Sequence, residues 1–259
     1  MQYAIANLVF IGVTILANAI GMTRWLTGSS IKDVSDEYKT KSTPSPAAFA
    51  VWLFIYGFLI WFGVYNVLNE NLYGDIPSVI IILITVFNIL WVFLFIYRWL
   101  EFAHLTLLIQ GLLLLVVYYR YRIFYSKDMD WQTAFIIYGW VSLYLAWMVV
   151  ASCLSEIMID YKDEDKQDPP KTLSNTYSQY AAVRTTAIKI ALIGSLMLIW
   201  RNDYFFGFVI LWSLIFLYLR NSKMSEDTKD TKTTLMISIG LVLVSAGVSV
   251  ALFLNNITF

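Results

Sequence analysis

Three pairs of side chains recur at helical spacing along this chain: Trp52 with Tyr56, Asn88 with Trp91, and Tyr144 with Trp147. Residues three or four apart share one face of a helix. Indole and phenol rings present flat apolar faces with one polar handle each, and a carboxamide adds donors and an acceptor. On one helix face, as at Trp140, Tyr144 and Trp147, such rings could line a pocket for a flat apolar molecule. These side chains do not suit acid–base or nucleophilic chemistry. Histidine occurs once, at His104, and cysteine once, at Cys153. A His/Cys metal cluster is therefore implausible, and no disulfide can form within the chain. No nucleotide loop, nucleophile elbow, zinc-protease or calcium-loop pattern occurs, so the sequence makes no positive case for an enzyme.

Each of these residues also has an ordinary use. Trp140, Tyr144 and Trp147 lie largely on one helix face, which fits an aromatic pocket or plain helix packing. Asn88 and Gln110 fall inside apolar runs, where an amide either bonds across helices or meets a ligand. Arg184 and Lys189 are charges inside another apolar run. Arg184 is near enough to its end to snorkel out, with Glu156 as a candidate partner. Lys189 is over a turn deeper and marks function by default.

The elements that must position these residues follow from composition. Only 14% of the 259 residues are charged and 59% are hydrophobic. Soluble domains carry about 25% charged residues, so this is an integral membrane protein. Net charge is zero and no basic stripe exists, which argues against nucleic acid as a partner. A bilayer-crossing helix needs about 20 apolar residues. Eight stretches qualify: 3–22, 47–68, 78–98, 102–122, 131–155, 181–200, 204–220 and 233–254. The fold class is all-α and polytopic. The first stretch lacks a basic start and a small-residue cleavage site, and is expected to be a retained span and not a signal peptide.

Loops between spans set orientation. Twelve lysines and arginines fall on the side opposite the N-terminus and four on the N-terminal side, so the former side is expected to be cytoplasmic or its organellar equivalent. Two loops are long. Residues 23–46 end at Pro44 and Pro46, which suit a helix entrance. Residues 156–180 carry DYKDEDKQDPPK, which reads as a solvated linker. Trp25, Trp99, Trp131 and Trp200 sit at span ends, where indole suits the headgroup zone. Gly247 and Ala251 make a small-xxx-small pair in the last span.

Three segments together resemble the TspO/MBR family, the tryptophan-rich sensory or translocator proteins. The charged loop and helix start of residues 28–56 place Thr43, Pro44, Phe49, Trp52 and Tyr56 in the family's order. Asn88 and Trp91 match its Asn-x-x-Trp, and Tyr144 and Trp147 its Tyr-x-x-Trp. Leu143 stands where the family has proline, and Ser155 where it has asparagine. The resemblance covers residues 1–155. It implies a five-helix core, followed here by a charged linker at 156–180 and a three-helix extension at 181–259. It also implies that Phe49, Trp52, Tyr56, Asn88, Trp91, Tyr144 and Trp147 surround a porphyrin or lipid-like ligand.

No cofactor is firmly implied, although a tetrapyrrole or lipid ligand follows from the resemblance. The expected partners are membrane lipids, that ligand, and either further copies of the chain or other membrane subunits. A structural reading stands beside the binding one: an accessory subunit of a larger assembly, such as a mitochondrial respiratory or ATP synthase complex. A transporter is third, resting on Lys189 and Arg184. The expected location is a mitochondrial membrane in a eukaryote, or the plasma membrane in a bacterium.

Overall fold

The computed structural model describes residues 2–38, 40–69, 75–120, 134–165, 176–222 and 229–255. Among these residues there are nine α-helices and no strand. They are α1 (Gln2–Gly21), α2 (Ile31–Glu37), α3 (Val51–Leu68), α4 (Asp75–Ile96), α5 (Leu100–Arg120), α6 (Gly139–Asp165), α7 (Thr176–Arg201), α8 (Tyr204–Ser222) and α9 (Lys229–Leu254). A 3₁₀ turn at Pro46–Ala50 leads into α3, and a π-helical turn at Ala134–Tyr138 leads into α6.

All except the short α2 are long and apolar enough to cross a bilayer, which gives the eight expected spans. Their outward faces carry leucine, isoleucine and valine, as hydrocarbon demands. Trp25, Trp99 and Trp200 are exposed at helix ends. Trp131 and the expected start of the fifth span lie outside the described residues, as do 166–175 of the charged stretch. Elsewhere the charged stretch differs from a plain loop. α6 continues to Asp165 and α7 starts at Thr176. Glu and Lys can carry a helix into water because straight-chain residues lose little rotamer freedom in it.

The chain forms two compact units. The described residues of 1–38, 52–123 and 128–148 make one, and those of 39–51 and 149–259 make the other. The first unit contains α1 to α5 and the start of α6. Gly21 is required there by close approach, since a Cβ would stand 2.7 Å from Val92 Cγ1 and 2.8 Å from Ile31 Cδ1. α2 starts with a capping box. Ser30 Oγ accepts from the Asp33 amide, and Asp33 accepts from the Ser30 amide. Arg24 clamps the same Asp33 with two bonds of 2.8 and 2.9 Å. The guanidinium and the Ser30 donors together hold the Asp33 carboxyl far below the usual carboxylate range.

The turn joining α4 to α5 is tight. Trp99 N reaches back to Leu94 O at 2.9 Å, around Arg98 at φ 63°. Glycine usually takes this left-handed position, and another residue costs roughly 1–2 kcal/mol. The Arg98 guanidinium offsets that cost with bonds of 2.7–3.1 Å to Glu37 and one of 3.3 Å to Ser29 Oγ. It thereby ties the loop after α1 to this turn.

In the second unit, α7 and α8 join through Asn202 (φ 52°), a residue type that tolerates this region. Asp203 then caps α8, its Oδ1 accepting from Phe206 N at 2.9 Å. Ser249 Oγ of α9 donates to Asn202 Oδ1 at 2.7 Å. The proline-marked entrance belongs to this unit. Pro46 opens the 3₁₀ turn, and Trp212 Nε1 of α8 donates to Ala48 O at 2.9 Å. Gln179 accepts from Lys41 N at 3.2 Å, and Asn221 Nδ2 reaches Lys41 O at 3.4 Å.

The Glu37–Arg98 bond lowers the Glu37 carboxyl below its ordinary value. Its contribution to stability is therefore complete above the unfolded carboxylate range and is lost as pH falls through the lower folded value. Glu37→Gln should cost up to about 1 kcal/mol at neutral pH, as expected for a partly exposed pair. The cost should vanish in acid. Thermal unfolding of both proteins in detergent, repeated down the pH scale, reads the difference. A gap that persists unchanged in acid would contradict the assignment.

Candidate functional site

The first unit brings four of the seven anticipated site residues into one aromatic cluster. Trp52 and Tyr56 stand one turn apart on α3, their rings stacked at 5.1 Å with an interplanar angle of 24°. Tyr144 and Trp147 come from α6. Trp52 meets both edge-on, with centroids 5.4 Å from Tyr144 and 6.3 Å from Trp147. These are the offset and edge-to-face arrangements that ring quadrupoles favour. Tyr144 and Trp147 are buried, whereas Trp52 and Tyr56 keep part of their rings exposed.

Behind Tyr144 lies a polar network drawn from four helices. Asn88 Nδ2 of α4 donates to the Tyr144 hydroxyl at 2.9 Å and toward Gln110 Oε1 at 3.4 Å. The Tyr144 hydroxyl donates its own proton to Gln110 Oε1 of α5 at 2.7 Å. Asn88 Oδ1 accepts from Asn18 Nδ2 of α1 at 2.7 Å, and Asn18 also donates to Thr14 O at 2.9 Å. Gln110 Nε2 closes the set on Thr106 O at 3.1 Å. Of the two uses open to Asn88, the structure gives it the interhelical one. Its amide is occupied by protein groups, and its effect on the aromatic cluster is to fix the Tyr144 ring.

One polar atom in the cluster is left over. The Tyr56 hydroxyl is buried and has no hydrogen-bond partner among the described residues. A buried hydroxyl without a partner costs roughly 1–3 kcal/mol.

The other anticipated residues are placed differently. Trp91 is partly exposed and stacks on Phe95 at 5.1 Å, one turn along α4. Phe49 precedes α3 in the 3₁₀ turn, belongs to the second unit and is 40% exposed. Trp140 is fully buried against Phe62, with ring centroids 5.1 Å apart. Asn18 was not anticipated. Its signal was present in α1, where Asn7, Thr14 and Asn18 repeat at helical intervals in an otherwise apolar span.

Glu156 also has a different partner from the one expected. Its Oε2 stands 3.9 Å from Lys189 Nζ, and Arg184 Nη1 donates to Thr231 Oγ1 at 3.4 Å.

Eight apolar helices, with an aromatic cluster braced by buried amides, define an all-α multi-pass membrane protein. A family model described as TSPO-like protein matches residues 4–250, so the chain belongs to the TSPO-like family. The match runs into α9, well beyond the first 155 residues on which the resemblance rested, and so takes in α7, α8 and most of the last span. No curated protein and no solved structure matches the chain.

Because Asn88 and Tyr144 act in one network, their removal should not be additive. Asn88→Ala and Tyr144→Phe should each destabilise by about 0.5–2 kcal/mol in a membrane setting. The double variant should lose less than the sum by about 0.5 kcal/mol or more. Unfolding equilibria of the four proteins in mixed micelles give the coupling. Strict additivity would mean that the two side chains do not support each other.

Proposed function

We propose that this TSPO-like protein binds a flat apolar ligand, a porphyrin or a lipid-like molecule, against Trp52, Tyr56, Tyr144 and Trp147. The observation that carries the reading is the buried, unpartnered Tyr56 hydroxyl within a cluster of aromatic rings. Part of the Trp52 and Tyr56 ring surface is left uncovered by protein. A flat ligand would stack on those faces and give up contact with water or lipid. A polar group at its edge would satisfy Tyr56. Asn88, Gln110 and Asn18 would keep the Tyr144 ring in place without touching the ligand. Trp91, which stacks on Phe95, and Phe49, which belongs to the second unit, take no part in this reading.

The chemistry is binding alone, since the cluster offers no nucleophile, no acid–base pair and no charge. Pre-formed rings reduce the ordering cost that a flexible site would incur on binding.

Titration with a porphyrin, followed by tryptophan fluorescence quenching in detergent, tests this reading. Trp52→Ala/Trp147→Ala should weaken binding by about tenfold or more, given the size of aromatic contacts. Tyr56→Phe should weaken it by a few-fold for a ligand with a hydrogen-bonding edge, and should have no effect on one without. A binding curve unchanged in the double tryptophan variant would place the ligand elsewhere.

A further inference from the structure

The second unit carries an ion pair in an unusual place. Lys189 lies ten residues inside the Gln179 end of its span and twelve inside the Arg201 end, about 15 and 18 Å from each at the helical rise. Glu156 lies one turn inside the Asp160 end of the neighbouring span. Their side chains are 53% and 58% exposed, on the outer surface of α6 and α7. The apolar residues exposed around Lys189, among them Ile188, Leu192, Ile193 and Leu196, need no cover in lipid. Two half-exposed charges do, because a charge within the hydrocarbon region is costly unless it is paired. Their mutual contact does not meet that need. At 3.9 Å it is longer than a hydrogen bond, and it leaves most of the ammonium donors and carboxylate lone pairs without partners.

We infer that this patch is the contact surface for a second copy of the same chain, with Lys189 of one protomer pairing with Glu156 of the partner subunit and the reverse. The pair holds one positive and one negative group, so it is its own complement under a two-fold rotation. An anionic lipid headgroup would satisfy Lys189 and repel Glu156. A single added charge on another protein would do the same to one of the two. A second copy satisfies both at once and makes each contact twice. Near Glu156, α6 carries Ser152 one turn back and Ser155 next to it, neither of them fully buried. Small residues there permit a facing helix to come close. This inference stands apart from the ligand reading, which concerns the first unit.

The decisive variant exchanges the two charges, Glu156→Lys/Lys189→Glu. Each such chain keeps a pair of opposite charges within itself, so a purely internal role is preserved. Differently tagged wild-type and exchanged chains are expressed together in membranes and captured through one tag in mild detergent. Wild type should capture wild type, and exchanged chain should capture exchanged chain. Capture of one by the other should fall by about tenfold or more, because like charges would then face each other. A second arm uses Glu156→Lys alone with Lys189→Glu alone. Each should fail to self-associate, and the mixture should recover association. Equal capture in all combinations would confine the pair to one chain and overturn the inference. So would a monomeric wild type, including one that retains an anionic lipid in place of a second chain.

Discussion

In hydrocarbon, no water is available to satisfy a polar group, and this constraint governs where the chain can place its amides and charges. The Asn18–Asn88–Tyr144–Gln110 network is the clearest response. Every strong donor–acceptor relation in it points to another protein group, and its members come from α1, α4, α5 and α6. Apolar helices in lipid have little hydrophobic reason to prefer one neighbour over another, since lipid tails are as apolar as leucine. A closed set of hydrogen bonds supplies that preference. Rotating any one of these helices would leave an amide unpaired. The aromatic cluster depends on the same bonds, because Tyr144 belongs to both. The network fixes its ring, and the ring presents an edge to Trp52.

The aqueous ends obey a different rule. There the chain spends charge freely, and its ion pairs serve as local clamps. Arg98 occupies a backbone conformation that suits glycine, yet glycine would lack the guanidinium that reaches Glu37 and Ser29. The left-handed turn and the clamp are thus two uses of one residue. The corresponding turn between α7 and α8 uses asparagine, which tolerates the conformation better, and delegates helix capping to Asp203. Neither turn holds a glycine, and each tight connection is stabilised by side chains from elsewhere in its own unit.

The spans were legible because length and hydropathy decide whether a helix can cross a bilayer, and both can be counted in a sequence. All eight emerge as helices, several with an extra turn where polar residues carry the helix into water. The site was legible in part. The i, i+4 spacing correctly put Trp52 and Tyr56 on one face, and i, i+3 did so for Tyr144 and Trp147. The same kind of spacing put Asn88 near Trp91, but Trp91 stacks along its own helix on Phe95. Spacing tells which residues share a face and does not tell what the face meets. Asn18 went unread for the complementary reason: an amide near the end of an apolar stretch has no partner visible in sequence, and its bond to Asn88 spans seventy positions.

Among the polar groups left incompletely covered, two differ in kind. The Tyr56 hydroxyl faces inward, is neutral and lies among rings, so a small molecule with one polar edge matches it. Lys189 and Glu156 face outward, are charged and lie on a helix surface, so a small apolar ligand would leave them as costly as before. What suits them is another surface of matched charge. The chain binds its other intramembrane amides of this network internally and at close range, which makes a 3.9 Å contact between two half-exposed charges hard to account for as packing alone. A fold that closes the Asn88 network so completely could have paired Lys189 inward by a change of helix face. That it carries both charges on the same outer strip, with small residues beside them, is the arrangement expected when the missing partners arrive from a second chain.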